Sequence, residues 1–520
     1  MSDEEALAQT FMFGWTGADP SPLIMQWIQE RSIGGVKVFG WNAADTTHLA
    51  ETIRQLQHSA QSSRLGIPLL VATDQEGGTV RHVRGDTSHA PGNMAIGASG
   101  RPIDAYWSGY YIGRELALLG INMNFAPSLD LYLSRDSTLI GPRSFGSNPV
   151  EAGILGAAFA RGQREAGIIA TAKHFPGHGC TPLDSHGTLP YIDEPFDTLW
   201  ERELRPFRLL VREGVPAIMS GHIAFPATQG GRTPASLSFW FLNNVLRQKI
   251  GFQGLVITDD LMMHGALQHA QTTALAAKAA ISAGNDMILL SSTPALNDAV
   301  WTHLLSSMRA ESAFRDRVRD ACKRILTLKL AYLKGGNALS VPENQNLAAG
   351  IRHPDSAAFF AALATRSVTI AYGAHIIPVN PETSGTVLLV GNFTEFFAAG
   401  TKAFPHAYSY RYNSVQNAMV ATAQALASQL RTANTVIFCL SDYTSFTLLQ
   451  EIRRLVDMSD KTLIVLSVAN PVYLEDTRLA DAAIAVYSFT AESFASGFSA
   501  ILGKIPAEGK LPFPLTGEIP

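Results

Sequence analysis

Eight short apolar runs recur along the first part of this chain, each bounded by Gly, Pro, Asp or Ser. They are Thr10–Trp15, Gly35–Gly40, Pro68–Asp74, Ile121–Pro127, Gly167–Phe175, Val215–His222, Gly254–Asp260 and Asp286–Ser292. Stretches with helical spacing separate them, such as Asp45–Ala60 and Thr272–Ala283. Short apolar runs in this setting read as parallel strands buried on both faces. Eight strand-then-helix units predict a (β/α)8, TIM-like barrel. The periodicity alone would also fit an open doubly wound sheet; the count decides for the barrel.

A helical stretch ends near Leu333, and "KGGNALSVPENQNLAAG" follows it with the Gly, Asn and Pro content of a linker. Five more apolar runs come next: Ser367–Tyr372, Thr386–Asn392, Thr435–Asp442, Thr462–Pro471 and Ala482–Phe489. The expected organisation is a barrel over residues 1–334, a linker over 335–360 and a smaller three-layer α/β sandwich domain over 361–520. A length of 520 residues agrees with more than one core. A homodimer contact, a cap over the pocket or plain support of the barrel are the roles open to the second domain.

Composition narrows the function classes. Hydrophobic residues make up 46% and charged residues 16%, with a net charge of −4 and no long basic run. No nucleic-acid surface is expected, since that needs clustered Lys and Arg. The acidic start "MSDEEALAQT" lacks the form of a signal peptide, and no apolar stretch approaches a membrane span. The cysteines Cys180, Cys322 and Cys439 are odd in number and far apart, which favours a reducing compartment. The expectation is a cytoplasmic protein without membrane or nucleic-acid partners.

In a barrel of this kind, chemistry gathers at the C-terminal ends of the strands. The third run ends in Asp74, the fifth in Lys173 and His174, the sixth in His222 and the seventh in Asp259 and Asp260. The loop after the fourth run carries Asp130 and then Arg143. Any one of these could be a helix cap. Charged or imidazole groups at successive strand ends instead predict one polar pocket. Only one of Asp259 and Asp260 should enter it, because neighbours on a strand point to opposite sides; parity leaves open which.

The segment "KHFPGHGCTPLDSH", Lys173 to His186, holds three histidines. His174 and His178 stand four apart, a metal-binding spacing on a helix, but Pro176 and Gly177 break any helix there. Asp184 and His186 are two apart and share a face in an extended segment. A carboxylate beside an imidazole suits a general acid or base, and Gly177, Gly179 and Gly187 suit a mobile loop. A solvated polar turn is the plain alternative.

Taken together, "KHFPGHG" with "DSH", "GPRSFGSNP", "DQEGG" and "ITDDLMM" resemble glycoside hydrolase family 3, most closely its β-N-acetylglucosaminidase branch. The second domain resembles that family's sandwich domain more loosely, through "SVANP" and "GKLPFPL". The resemblance implies a retaining enzyme that releases terminal N-acetylglucosamine from a carbohydrate substrate, cell-wall fragments or chitooligosaccharides, with no metal or other cofactor. It implies Asp259 as nucleophile, His186 as proton donor and base, and Asp184 as the partner of His186. Asp74, Arg143, Lys173 and His174 would grip sugar hydroxyls, and His222 would stand behind the nucleophile. The family usually follows "DQEGG" with "RVxR"; here Thr79 and His82 take the arginine places, and Arg81 stands one position early. Phosphorolysis or a broader family 3 β-glycosidase activity is the alternative reading. A metal-dependent hydrolase using His174, His178, Asp184 and His186 and a non-catalytic sugar-binding protein are more distant ones.

Overall fold

The computed structural model describes residues 1–181, 183–333, 347, 349–413, 418–455, 460–475 and 479–515. Eight parallel strands close into a barrel. They are β1 (Phe11–Gly14), β2 (Gly35–Val38), β3 (Leu70–Thr73), β4 (Met123–Asn124), β5 (Ile169–Phe175), β6 (Ala217–Ser220), β7 (Leu255–Asp260) and β8 (Met287–Leu290). Each lies inside one of the eight apolar runs. Strands follow one another round the barrel, and β1 closes on β8 through Phe11–Ile288 and its neighbours.

The strands alternate inward and outward residues. Met12, Leu70, Ala72, Met123, Ile169, Ala217, Met219, Leu255, Ile257, Met287 and Leu289 fill the interior. Their neighbours Ala170, Ala172, Ile218 and Val256 face the surrounding helices and pack with Phe207, Leu242 and Val245. Covering both faces is what a parallel strand requires, and it explains why these runs carry almost no polar alternation. Helix α1 (Thr46–Ser62) begins where the Asp45 carboxylate accepts the His48 amide at 2.8 Å. The last barrel helix, Ser312–Leu333, sends Ile325, Leu328 and Leu333 against the interior cluster.

The chain divides into two compact units, and the division is not a single cut. The first comprises residues 1–88, 105–140 and 149–356; the second comprises 89–104, 141–148 and 357–520. Two segments read from the sequence as barrel connections therefore belong with the C-terminal residues. Within that unit, Lys510 N donates to Ala98 O at 2.9 Å, Ser147 N to Pro512 O at 3.0 Å, and Arg366 pairs with Asp104 at 2.6 Å. Half of the expected linker, residues 335–346 and 348, lies outside the described residues. The helix Pro354–Ser367 takes up its end, with proline at the first helical position, where no donor is lost.

The second unit holds a six-stranded sheet in the order β9-β14-β13-β12-β10-β11. These are β9 (Thr369–Tyr372), β10 (Val387–Gly391), β11 (Tyr408–Arg411), β12 (Thr435–Leu440), β13 (Thr462–Ser467) and β14 (Ala482–Ala485). Five match the expected runs. The edge strand β11 was not among them: its sequence, YSYR, is largely exposed and carries no apolar run. Only the β9–β14 pair is antiparallel.

Candidate active site at the barrel mouth

The inward rows of the barrel end in the site. Leu70 and Ala72 point inward, and Asp74 continues that row; Leu255 and Ile257 point inward, and Asp259 continues theirs. The same parity sends Lys37 of β2 into the mouth, where it is 1% exposed. Strand β5 follows the rule from Ile169 to Lys173, then breaks register between Ala172 and Phe175. Lys173 and His174, though neighbours, are therefore both free to serve the mouth.

Asp74 is the centre of an ion cluster. Lys37 Nζ binds its Oδ2, and Lys173 Nζ reaches its Oδ1 at 2.5 Å and Glu76 Oε1 at 2.6 Å. Two ammonium groups balance two carboxylates, which is how charges this deeply buried are tolerated. Burial alone would raise the Asp74 carboxyl; Lys173 and Lys37 outweigh it and hold the group well below the usual carboxylate range. Lys37 and Glu76 were not singled out in the sequence. The available signal was a lysine inside an apolar strand, which must meet a carboxylate.

Asp130 organises the next element. It accepts from Ser128 Oγ at 3.0 Å and His178 N at 2.7 Å, and lies 2.6 Å from His174 Nδ1. A carboxylate only accepts, so the network assigns the proton to Nδ1 of His174. The turn behind His174 is not loose. Residues 175–179 are buried, and a Cβ on Gly179 would lie 1.5 Å from Leu131 O. The glycine there permits close packing rather than movement.

The two aspartates of β7 separate clearly. Asp260 is tied to backbone: its Oδ1 accepts from Met262 N at 3.0 Å and Ser291 N at 3.1 Å. Burial raises its carboxyl above the ordinary value. Burial raises Asp259 too, but attraction to His174 and His222 and the amide of Asp260 bring it below the ordinary value. His222 is buried, with Nδ1 2.7 Å from Ser236 Oγ and Nε2 2.9 Å from Asp260 O. Burial lowers its basicity. Of the two β7 aspartates, Asp259 is thus the one held ionised, by attraction to His174 and His222.

Asp184 and His186 are paired, though not by strand geometry. They occupy a turn in which Asp184 O accepts from Gly187 N at 3.0 Å and Thr188 N at 3.1 Å. Asp184 Oδ1 accepts the His186 amide at 2.8 Å and lies 2.6 Å from its Nδ1. An Asx-type turn therefore does what extended spacing was expected to do. Burial tends to raise Asp184, while the amide and ring of His186 bring it below its ordinary value. The His186 side chain is 68% exposed, the most open of the polar groups in the set.

Arg143 is carried by the other unit, where it closes a 3-10 turn, Gly141–Arg143, and its carbonyl accepts from Asn93 Nδ2 at 2.8 Å. No group of three or more His, Cys, Asp or Glu able to hold a metal ion occurs among the described residues.

Residues 5–328 match the family model described as the glycosyl hydrolase family 3 N terminal domain. The chain belongs to glycosyl hydrolase family 3. A beta-hexosaminidase A of Pseudoalteromonas piscicida is 36% identical over 259 residues, which span 47% of this chain and 43% of that protein. A beta-hexosaminidase of Thiobacillus denitrificans is 36% identical over 279 residues, spanning 52% of this chain and 75% of the relative. A solved glycoside hydrolase family 3 beta-N-acetylglucosaminidase from Paenibacillus sp. aligns with a TM-score of 0.89 at 29% identity and covers 99% of both chains.

In this family 3 chain, His82 rather than Arg81 faces the ion cluster. His82 Nδ1 lies 3.3 Å from Lys37 Nζ and 3.7 Å from Asp74 Oδ2. Arg81 reaches instead towards Ser88 O, at 3.5 Å. Burial and the adjacent Lys37 push the His82 imidazole down to about 4, so it is neutral at physiological pH. No helix among the described residues is long and apolar enough to cross a membrane.

Proposed function

We propose that the chain is a retaining exo-β-N-acetylglucosaminidase acting on terminal β-linked N-acetylglucosamine of chitooligosaccharides or cell-wall fragments. The observation that carries this reading is Asp259. It is the half-buried carboxylate at the end of an inward row, held ionised, while its neighbour Asp260 is tied to backbone. In the first step, Asp259 attacks the anomeric carbon as the bond to the leaving oxygen breaks, and His186 gives that oxygen its proton. In the second step, neutral His186 takes a proton from water, which attacks the glycosyl-enzyme and frees the Asp259 carboxylate. Asp184 orients the His186 ring, its Oδ1 lying 2.6 Å from Nδ1. An imidazole also avoids a second anion beside the nucleophile, as a carboxylate acid–base would place there. Asp74, Lys173 and His174 bind sugar hydroxyls, and His222 braces Asp259. The names of the relatives support the sugar.

The test is product analysis on chitobiose and defined muropeptides with Asp259→Ala and wild type, with and without inorganic phosphate. The reading expects free N-acetylglucosamine of retained configuration and at least a ~10³-fold loss in the variant, on the scale of removing a covalent nucleophile. Normal turnover by Asp259→Ala would refute it. A sugar phosphate formed only with phosphate present would make the enzyme a phosphorylase instead.

A further inference from the structure

The turn that carries His186 is bonded along its length to one short helix, α2 (His264–Ala270), which starts soon after Asp259. Asp260 O receives the Met263 amide at 3.0 Å, so strand β7 runs into this helix without slack. From the helix, Gly265 N donates to Ser185 O at 3.0 Å. His264 Nδ1 lies 3.1 Å from His186 O, and since a carbonyl only accepts, the ring is the donor. One turn further, Gln268 Oε1 accepts from Leu189 N at 2.7 Å and lies 3.4 Å from Thr188 Oγ1. His264 and Gln268 stand four apart and so share a helix face.

The fit at the middle contact is close. A Cβ on Gly265 would lie 3.1 Å from Ser185 O and 3.0 Å from the Cβ of His222. Ser185 is 3% exposed, while the rings of His186 and the helix residues His264 and Gln268 are open to solvent. The turn is thus fastened at its base and exposed at its working end.

We infer that His264 and Gln268 are positioning residues for proton transfer: they latch the His186 turn to the segment that carries Asp259. This rests on the proposed roles of Asp259 and His186. Neither side chain needs to touch the sugar. What they fix is the place of the imidazole relative to the nucleophile, and misplacement of a catalytic group by about 1 Å is enough to cost a large part of its effect. The bonds of His264 to His186 O and of Gln268 to Thr188 are exposed, so the latch can also open, which a group that must reach a bound substrate requires.

The experiment measures kcat/KM on a series of aryl β-N-acetylglucosaminides of graded leaving-group pKa. Wild type is compared with His264→Ala/Gln268→Ala, Gln268→Ala, Gln268→Glu and His186→Ala. This parameter reports the glycosyl-transfer step, where only poor leaving groups need a proton. The double variant should lose about tenfold on the poorest leaving groups and little on 2,4-dinitrophenyl, a fraction of the ~10²–10⁴ typical of a general acid. Gln268→Glu, which keeps an acceptor for Leu189 N, should restore the wild-type slope relative to Gln268→Ala. An unchanged slope in the double variant beside a steep one in His186→Ala would overturn the latch alone. So would a loss equal across all leaving groups, which marks general structural damage. A flat slope in His186→Ala would instead overturn the proton-donor reading on which the latch depends.

Discussion

Lys329 offers a stability test whose size follows from its burial. The residue sits in the last barrel helix, is 3% exposed, and its only hydrogen bond among the described contacts is to Gln9 Oε1 at 2.9 Å. Burial pushes its ammonium from 10.5 down to about 7. The unfolded chain then binds one more proton than the folded chain between pH 7 and 10.5, so wild-type stability rises with pH across that window. The fall from 10.5 to about 7, at ~1.36 kcal/mol for each tenfold loss of proton affinity, corresponds to about 5 kcal/mol, fully felt below pH 7. Lys329→Met removes this term but leaves Gln9 Oε1 without its donor, at a cost of about 1–3 kcal/mol. The variant should therefore be more stable than wild type by about 2–4 kcal/mol at pH 6. By pH 9.5 the advantage should have fallen by about 3 kcal/mol and be near zero or reversed. Urea titrations of both proteins across this range measure it. A stability difference that stays constant with pH would show that the amine does not titrate near neutrality, and the account would be wrong.

Lys37→Met should leave Asp74 with a single ammonium partner in a buried site, destabilising the barrel by about 3–5 kcal/mol and raising KM; urea titration and steady-state kinetics check both. Because His82 is already neutral above about pH 5, His82→Gln should leave the shape of the kcat/KM profile between pH 5 and 8 unchanged while altering its height. A lost or shifted limb in that range would mean that His82 carries a proton the site uses.

The barrel was legible because parallel strands covered on both faces must be apolar throughout, and eight such runs stand out from their surroundings. The polar residues closing those runs marked the mouth for the same reason. Lys37 escaped notice although it lies within a run, since one lysine in six residues resembles an edge position until its partner is known. Asp130 was visible as a loop residue, but not as the group that gathers His174 and His178. The edge strand β11 had no signal at all, being exposed.

Sequence alone determined the strand count of the barrel and the two-part organisation in outline, since these depend on local pattern and on which side chains tolerate burial. Tertiary structure decided what pattern leaves degenerate. Parity along β7 says only that Asp259 and Asp260 diverge; the interior row of Leu255 and Ile257 says that Asp259 enters. Spacing says that Asp184 and His186 can meet; a turn fastened to the helix after Asp259 brings them together. The segments 89–104 and 141–148 joined the second unit because their partners, such as Arg366, Lys510 and Pro512, lie hundreds of residues away, and no local signal carries such a pairing.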